Sequence, residues 1–400
     1  MAESIAKCPT RAAYLLVGLA LGLAVLGTNV PSPLYGVYAK EWSFSAGTVT
    51  LIFAVYCLVL IGALLAFGRL SDEVGRRPVM LAGLLVIALG SLLFALAQSV
   101  AWLLAARAVQ GLAVGMMSGA MTAALVELHP EDNRRAAALA ATVALTGGAA
   151  VGPLFGGVLA EYGPYPLVLP YLANLGLLFL VIVGLWATVP ETVAPKPKEE
   201  RSWRIRRPRV PTGVRYPFAL GSGVCFVAWA VAGLFIALVP SYAASLLDAD
   251  SLLVGGSAVS VMLGAACAAQ VVARRASIRW AMASGMVAQV AGLAAIVAAV
   301  PTQSVTLLLA GALLDGAGLG LAFMGGLSLV GRVAPPENRA EVLSACYVII
   351  YLGESLPVLG VGYGAGWVGL YPAVVAFAVL IGGLGVLTAL LAARRGYDGV

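Results

Sequence analysis

Charge is what this 400-residue chain has least of: 10% of its residues are Asp, Glu, Lys or Arg and 61% are hydrophobic. Soluble domains carry roughly 25% charged residues, so a water-soluble globular fold is excluded. Lysine occurs four times, at Lys7, Lys40, Lys196 and Lys198, and no GxxxxGK[ST] phosphate loop is present, which excludes ATP hydrolysis by this chain. Histidine occurs once, as His129 beside Pro130, where a solvated loop role is expected. With no HExxH, no histidine inside an apolar run and no pair of intramembrane aspartates, zinc and aspartyl peptidase chemistry are excluded. No enzyme activity, cofactor or metal is expected. The five cysteines, Cys8, Cys57, Cys225, Cys267 and Cys346, are odd in number and four lie within apolar runs. They read as small buried residues, not as a disulfide framework.

What is abundant is apolar length. The mean hydropathy is +0.99, and roughly 20 residues cross a bilayer as a helix. Runs between charge and turn clusters predict spans near 13–35, 47–67, 79–99, 102–127, 137–159, 166–188, 216–243, 252–272, 279–300, 304–330, 341–363 and 371–392. The expected fold is an all-α integral membrane protein of twelve transmembrane helices. Basic residues test the count independently, because they collect in short cytoplasmic loops. On this reading 22 of the 24 lysines and arginines fall on one side, leaving Lys40 opposite and Arg107 inside a span. Both termini are then cytoplasmic, and the first span is retained, not cleaved as a signal, in a multi-pass protein of the cell inner (plasma) membrane. The net charge of +6 points to anionic lipid headgroups as partners and not to nucleic acid.

Residues 190–215 form the only long polar stretch, with five prolines and eight basic residues. They read as a cytoplasmic linker, with Trp203 and Ile205 able to lie at the membrane interface. It separates an N-terminal six-helix bundle, 1–189, from a C-terminal one, 216–400. A shift of 205 residues superposes Gln110, Gly111 and Gly115 on Asp315, Gly316 and Gly320, Asn133 on Asn338, and Gly148 on Gly353. Two related bundles about a midplane site are a known arrangement for alternating access.

Charged groups at the bilayer centre cost roughly 2.5–3.5 kcal/mol on insertion scales, so each calls for a pairing or a function. Arg107, Asp315 and Glu354 are such groups. Tyr347, Tyr351 and Glu354 follow at spacings of four and three, which places two hydroxyls and a carboxylate on one helical face. Arg107 and Gln110 share another face. With Asn29, Phe226 and Trp229, these tyrosines, Arg107 and Gln110 are the candidate substrate-binding residues, and Asp315 and Glu354 are the candidate proton-coupling carboxylates.

The stretch 68–81 reads as a loop joining the second and third spans, and it compresses Asp72, Gly75, Arg76 and Arg77 into a charged clasp. Gly68, Asp72, Gly75, Arg76 and Arg77 resemble the signature loop of the major facilitator superfamily, although Glu73 stands where the family often has arginine. Leu103, Arg107, Gln110 and Gly111 resemble its arginine motif in helix four. Gly148, Gly152, Pro153, Gly156 and Gly157 resemble the helix-five pattern of its proton-coupled antiporters. The resemblance covers the whole chain and implies a functional monomer of two pseudo-symmetric six-helix bundles exporting a small lipophilic or amphiphilic molecule in exchange for protons. It also implies that Asp72 stabilises the N-terminal end of helix eleven and that Arg76 pairs with Glu127, bonds that favour the outward-open state. A proton-coupled importer or a uniporter is the alternative, with a membrane sensor or intramembrane enzyme further off.

Overall fold

The computed structural model describes residues 11–68, 70–131, 133–195, 209–247 and 251–394. Lys7, Cys8, Arg69, Arg395 and most of the expected linker, 196–208 with Trp203 and Ile205, lie outside the described residues. Among those described the chain is helical throughout. The first half holds α1 (Arg11–Asn29), α2 (Tyr35–Glu41), α3 (Ala46–Phe67), α4 (Leu70–Val74), α5 (Arg76–Ala95), α6 (Val100–Glu127), α7 (Arg134–Tyr162) and α8 (Leu169–Thr188). The second holds α9 (Arg215–Ala237), α10 (Val239–Leu247), α11 (Leu252–Val272), α12 (Ile278–Ala299), α13 (Val305–Val333), α14 (Arg339–Val368) and α15 (Leu370–Arg394). They make twelve spans long and apolar enough to cross a bilayer. Their outer surface is apolar too: Leu15, Phe179, Trp186 and Leu380 are each about two-thirds exposed, at 66%, 64%, 66% and 66%. In lipid such faces need no covering.

Two expected spans are bent. The first runs from Arg11 to Glu41, further than 13–35, and turns through a short 3₁₀ segment at Ser32–Leu34 that follows Pro31 and contains Pro33. The seventh, expected as one run over 216–243, breaks at Leu238 between α9 and α10. Pro240 has no N–H to give the Ile236 carbonyl one turn back, and that carbonyl instead accepts the Ser32 hydroxyl from the other bundle. The loop expected over 68–81 is also shorter than predicted, since α4 fills its middle and α5 already begins at Arg76.

The internal repeat appears as matching packing. A Cβ on Gly111 or Gly115 of α6 would meet the Tyr56 or Leu60 carbonyl of α3 at 2.4 and 2.8 Å. On Gly316 or Gly320 of α13 it would meet the Met262 or Ala266 carbonyl of α11 at 2.0 and 2.3 Å. In each half, therefore, the fourth span presses its backbone onto the second. Across the seam between halves, α3 packs on α14 and α7 on α11.

Candidate functional site

Helix α7 shows what the glycine and proline pattern does. A Cβ at Gly148, Gly152 or Gly156 would meet the carbonyl of Gly22, Leu26 or Val30 at 2.2, 2.6 and 2.5 Å, so these glycines form one stripe pressed on α1. Gly157 turns the other way, 3.1 Å by the same measure from the Leu252 carbonyl of α11, and the Pro153 carbonyl abuts Gly256. The pattern thus seats α7 between its own bundle and the opposite one.

The two faces of the molecule differ. Arg76, Arg332 and Arg339 mark one, called here the basic face; the opposite face holds the start of α11 and the end of α14. At the opposite face the bundles touch. Ser32 bonds the Ile236 carbonyl, Glu161 accepts the Leu252 N–H at 2.8 Å, and Gly47 abuts Tyr363. At the basic face a cavity of about 590 Å³ lies between the bundles, lined by Leu139 and Thr142 of α7, Gln270 of α11, Phe323 and Arg332 of α13, and Tyr347 of α14. Its size suits a drug-like molecule. The structure is closed at one face and hollow at the other.

The sequence candidates divide by where they face. Tyr347 lines the cavity and stacks on Tyr351, ring centres 6.5 Å apart. One turn deeper, Glu354 is 4% exposed and lies on the seam beside the Cys57 thiol of α3, with Arg107 and Tyr56 near enough to act on it electrostatically. Trp229 stands edge-on to the cavity residue Phe323 at 5.5 Å. The other candidates are held inside a bundle. Asp315 is fully buried with neither carboxyl oxygen bonded, packed against Gly292 of α12 and so turned away from the seam. Arg107 donates to the Thr28 carbonyl at 2.7 Å and to Gln110 Oε1 at 2.9 Å, with its guanidinium 4.6 Å from the Tyr56 ring centre. Gln110 donates in turn to the Gly27 carbonyl. Asn29 bonds the Val25 carbonyl and packs on Gly152, while the Phe226 backbone meets Gly353.

At the basic face Arg76 joins Asp72 and Glu127, the latter at 3.3 Å, so the expected Arg76–Glu127 pair is present. Asp72 is not on helix eleven: its partner is Arg76, and α4 packs on α5 and α6. What the sequence did not reveal is the anchor. Glu191, just beyond α8, accepts four backbone N–H groups, from Arg76 at 2.7 Å, Arg77 at 3.2 Å, Thr192 at 3.0 Å and Val193 at 3.2 Å. It thereby caps the start of α5 from outside. Gly75 is required twice over: its φ is +109°, and a Cβ would sit 2.5 Å from Glu191 Oε2. Arg77 donates to the Trp186 carbonyl and Thr192 to Glu127. Gly68 closes α3 as its C-terminal cap. His129, expected to be simply solvated, accepts the Glu131 and Asn133 N–H groups at 3.2 and 3.3 Å and so orders the turn into α7.

Residues 17–357 match the sequence model that describes the Major Facilitator Superfamily. The chain belongs to that family. It is a family of membrane transport proteins. Among curated relatives, the multidrug efflux pump LfrA of Mycolicibacterium smegmatis is 32% identical over 197 residues, 48% of this chain and 39% of that protein. The cephamycin export protein CmcT of Amycolatopsis lactamdurans is 37% identical over 142 residues, 35% and 29% of the two chains. The puromycin resistance protein pur8 of Streptomyces alboniger is 36% identical over 157 residues, 38% and 31%. The chain spans less than half the length of these relatives. Over 97% of this chain and 98% of the other, the fold superposes with TM-score 0.74 on a bacterial homologue of the lysosomal transporter Spinster in an inward-facing, unoccupied conformation, at 16% identity. It also superposes on the nucleoside transporter NupG with TM-score 0.72, at 12% identity. These two likenesses concern the fold.

Proposed function

We propose that this transporter exports a small lipophilic or amphiphilic molecule in exchange for protons, with Glu354 as the proton-carrying group. The observation that carries the reading is the position of Glu354: it is the buried carboxyl that stands on the seam, reached from the cavity through Tyr347 and Tyr351. Asp315 faces α12 instead, which favours a structural place for it. Arg107 belongs to the first bundle and Glu354 to the second, so rocking one against the other alters the charge environment of the carboxyl. Bundle position and proton occupancy are linked by that geometry. The names of the relatives favour export and supply probe molecules, and the placement of 22 of the 24 basic residues favours the basic face as cytoplasmic. In that orientation the cavity opens toward the cytoplasm and collects substrate, protons enter from the opposite side, and the two compete around Glu354.

The test is uphill transport by purified protein in liposomes under an imposed pH gradient, with puromycin and cephamycin as probes. Gradient-driven accumulation of at least one, lost with a protonophore, supports exchange. Accumulation indifferent to the gradient refutes it.

A further inference from the structure

The opposite face is closed by a contact that proton exchange does not use. Glu161 lies in the last turn of α7, and its carboxylate crosses the seam to accept the N–H of Leu252 at 2.8 Å. Leu252 is the first residue of α11, and Ser251 before it makes no side-chain cap. The first N–H groups of a helix have no partner within it, and a negative charge at that end meets the positive pole of the helix dipole. The cap that α11 lacks locally is therefore provided by the other bundle. Beneath the carboxylate the two backbones are in contact, with Gly157 against the Leu252 carbonyl and Gly256 against the Pro153 carbonyl. The neighbouring crossing contact, Ser32 to the Ile236 carbonyl, is uncharged.

We propose that Glu161 is the latch of this gate: it caps α11 when this face is closed, must let go for the face to open, and so helps set the balance between the two conformations. The proposal rests on family membership, because alternation is what separates α7 from α11 at this end. The resemblance assigned a carboxylate of the first bundle, Asp72, to the N-terminus of α14 at the basic face. That face holds a cavity, and Asp72 is paired with Arg76. On that assignment the molecule would carry one such carboxylate for each face, and the one at the closed face is engaged. A static cap would hold through the cycle; a latch spanning two bundles cannot.

Spin labels at Gln98→Cys and Thr302→Cys, on opposite bundles at this face, report its opening in full-length protein whose other cysteines are replaced. No substrate or gradient is needed, so the outcome is independent of whether protons drive export. Glu161→Gln is expected to raise the open-to-closed ratio roughly two- to fivefold, and Glu161→Asp to keep most of the closed population. Leu252→Pro removes the same N–H from the other partner; proline is tolerated at the first helical position, and Ser251 is already extended. It should shift the balance in the same direction, and the double variant by less than the sum of the two. Unchanged distances in a folded Glu161→Gln protein, or shifts that simply add in the double variant, would overturn the proposal. If Glu161→Gln does not fold, Leu252→Pro decides alone by the same criterion.

Discussion

Gly147 and Gly148 are neighbours on α7 that call for opposite outcomes from the same substitution. A Cβ on Gly148 would sit 2.2 Å from the Gly22 carbonyl oxygen, about 1 Å inside ordinary contact, and the obstacle is backbone that cannot swing aside. A Cβ on Gly147 would meet nothing within 4 Å. Replacing glycine by alanine inside a helix gains roughly 0.5–1 kcal/mol at either position. Overpacking of a tight interface costs roughly 1–3 kcal/mol. The helix gain is common to both variants, so their difference isolates the packing term: Gly148→Ala should be less stable than Gly147→Ala by roughly 1–3 kcal/mol. Unfolding of the purified protein in mixed micelles, followed by helical circular dichroism, measures it. Equal stability of the two variants would refute the claim that the stripe exists to let α1 and α7 touch.

Three further outcomes are expected. Gly75→Ala, strained at φ +109° and pressed against Glu191, and Glu191→Ala, which strips four N–H groups of their acceptor, should both speed hydrogen exchange over residues 70–78; protection equal to the parent would show that Glu191 does not anchor the clasp. Ser32→Ala leaves the Ile236 carbonyl without its partner, a loss of roughly 1–3 kcal/mol, and should increase thiol labelling of a cysteine placed at Gly47; unchanged labelling would remove this bond from the gate. Asp315→Asn should retain gradient-driven transport, because the side chain faces α12 and not the seam; loss of coupling in a stable, folded variant would return Asp315 to the proton path.

The twelve spans were legible because bilayer length and basic loops leave a strong, short-range imprint on sequence. Their bends were not, since Pro31, Pro33 and Pro240 mark a break only when the freed carbonyl has somewhere to go, and Ser32 lies 204 residues from Ile236. Asp315 and Glu354 looked equivalent as lone acids in apolar helices. The neighbours held the distinction: Gly311 and Gly318, four before and three after Asp315, share its face and pack on α12. Tyr347 and Tyr351, seven and three before Glu354, share a face that leads to the cavity. The helix-five pattern was visible in full, but α1 as its partner was not, because spacing fixes a face and says nothing of what meets it. Glu161 and Glu191 carried no local signal at all, being single acids at helix ends whose partners lie 91 and 115 residues away.

On the proposed mechanism the carboxyl of Glu354 couples proton movement to export. The most direct test is Glu354→Gln beside the parent in liposomes, with a probe that the parent accumulates under a pH gradient. Puromycin is the first to try. The variant is expected to let the probe equilibrate down its own gradient but no longer to concentrate it when the pH gradient is imposed. Undiminished uphill accumulation by Glu354→Gln would contradict it.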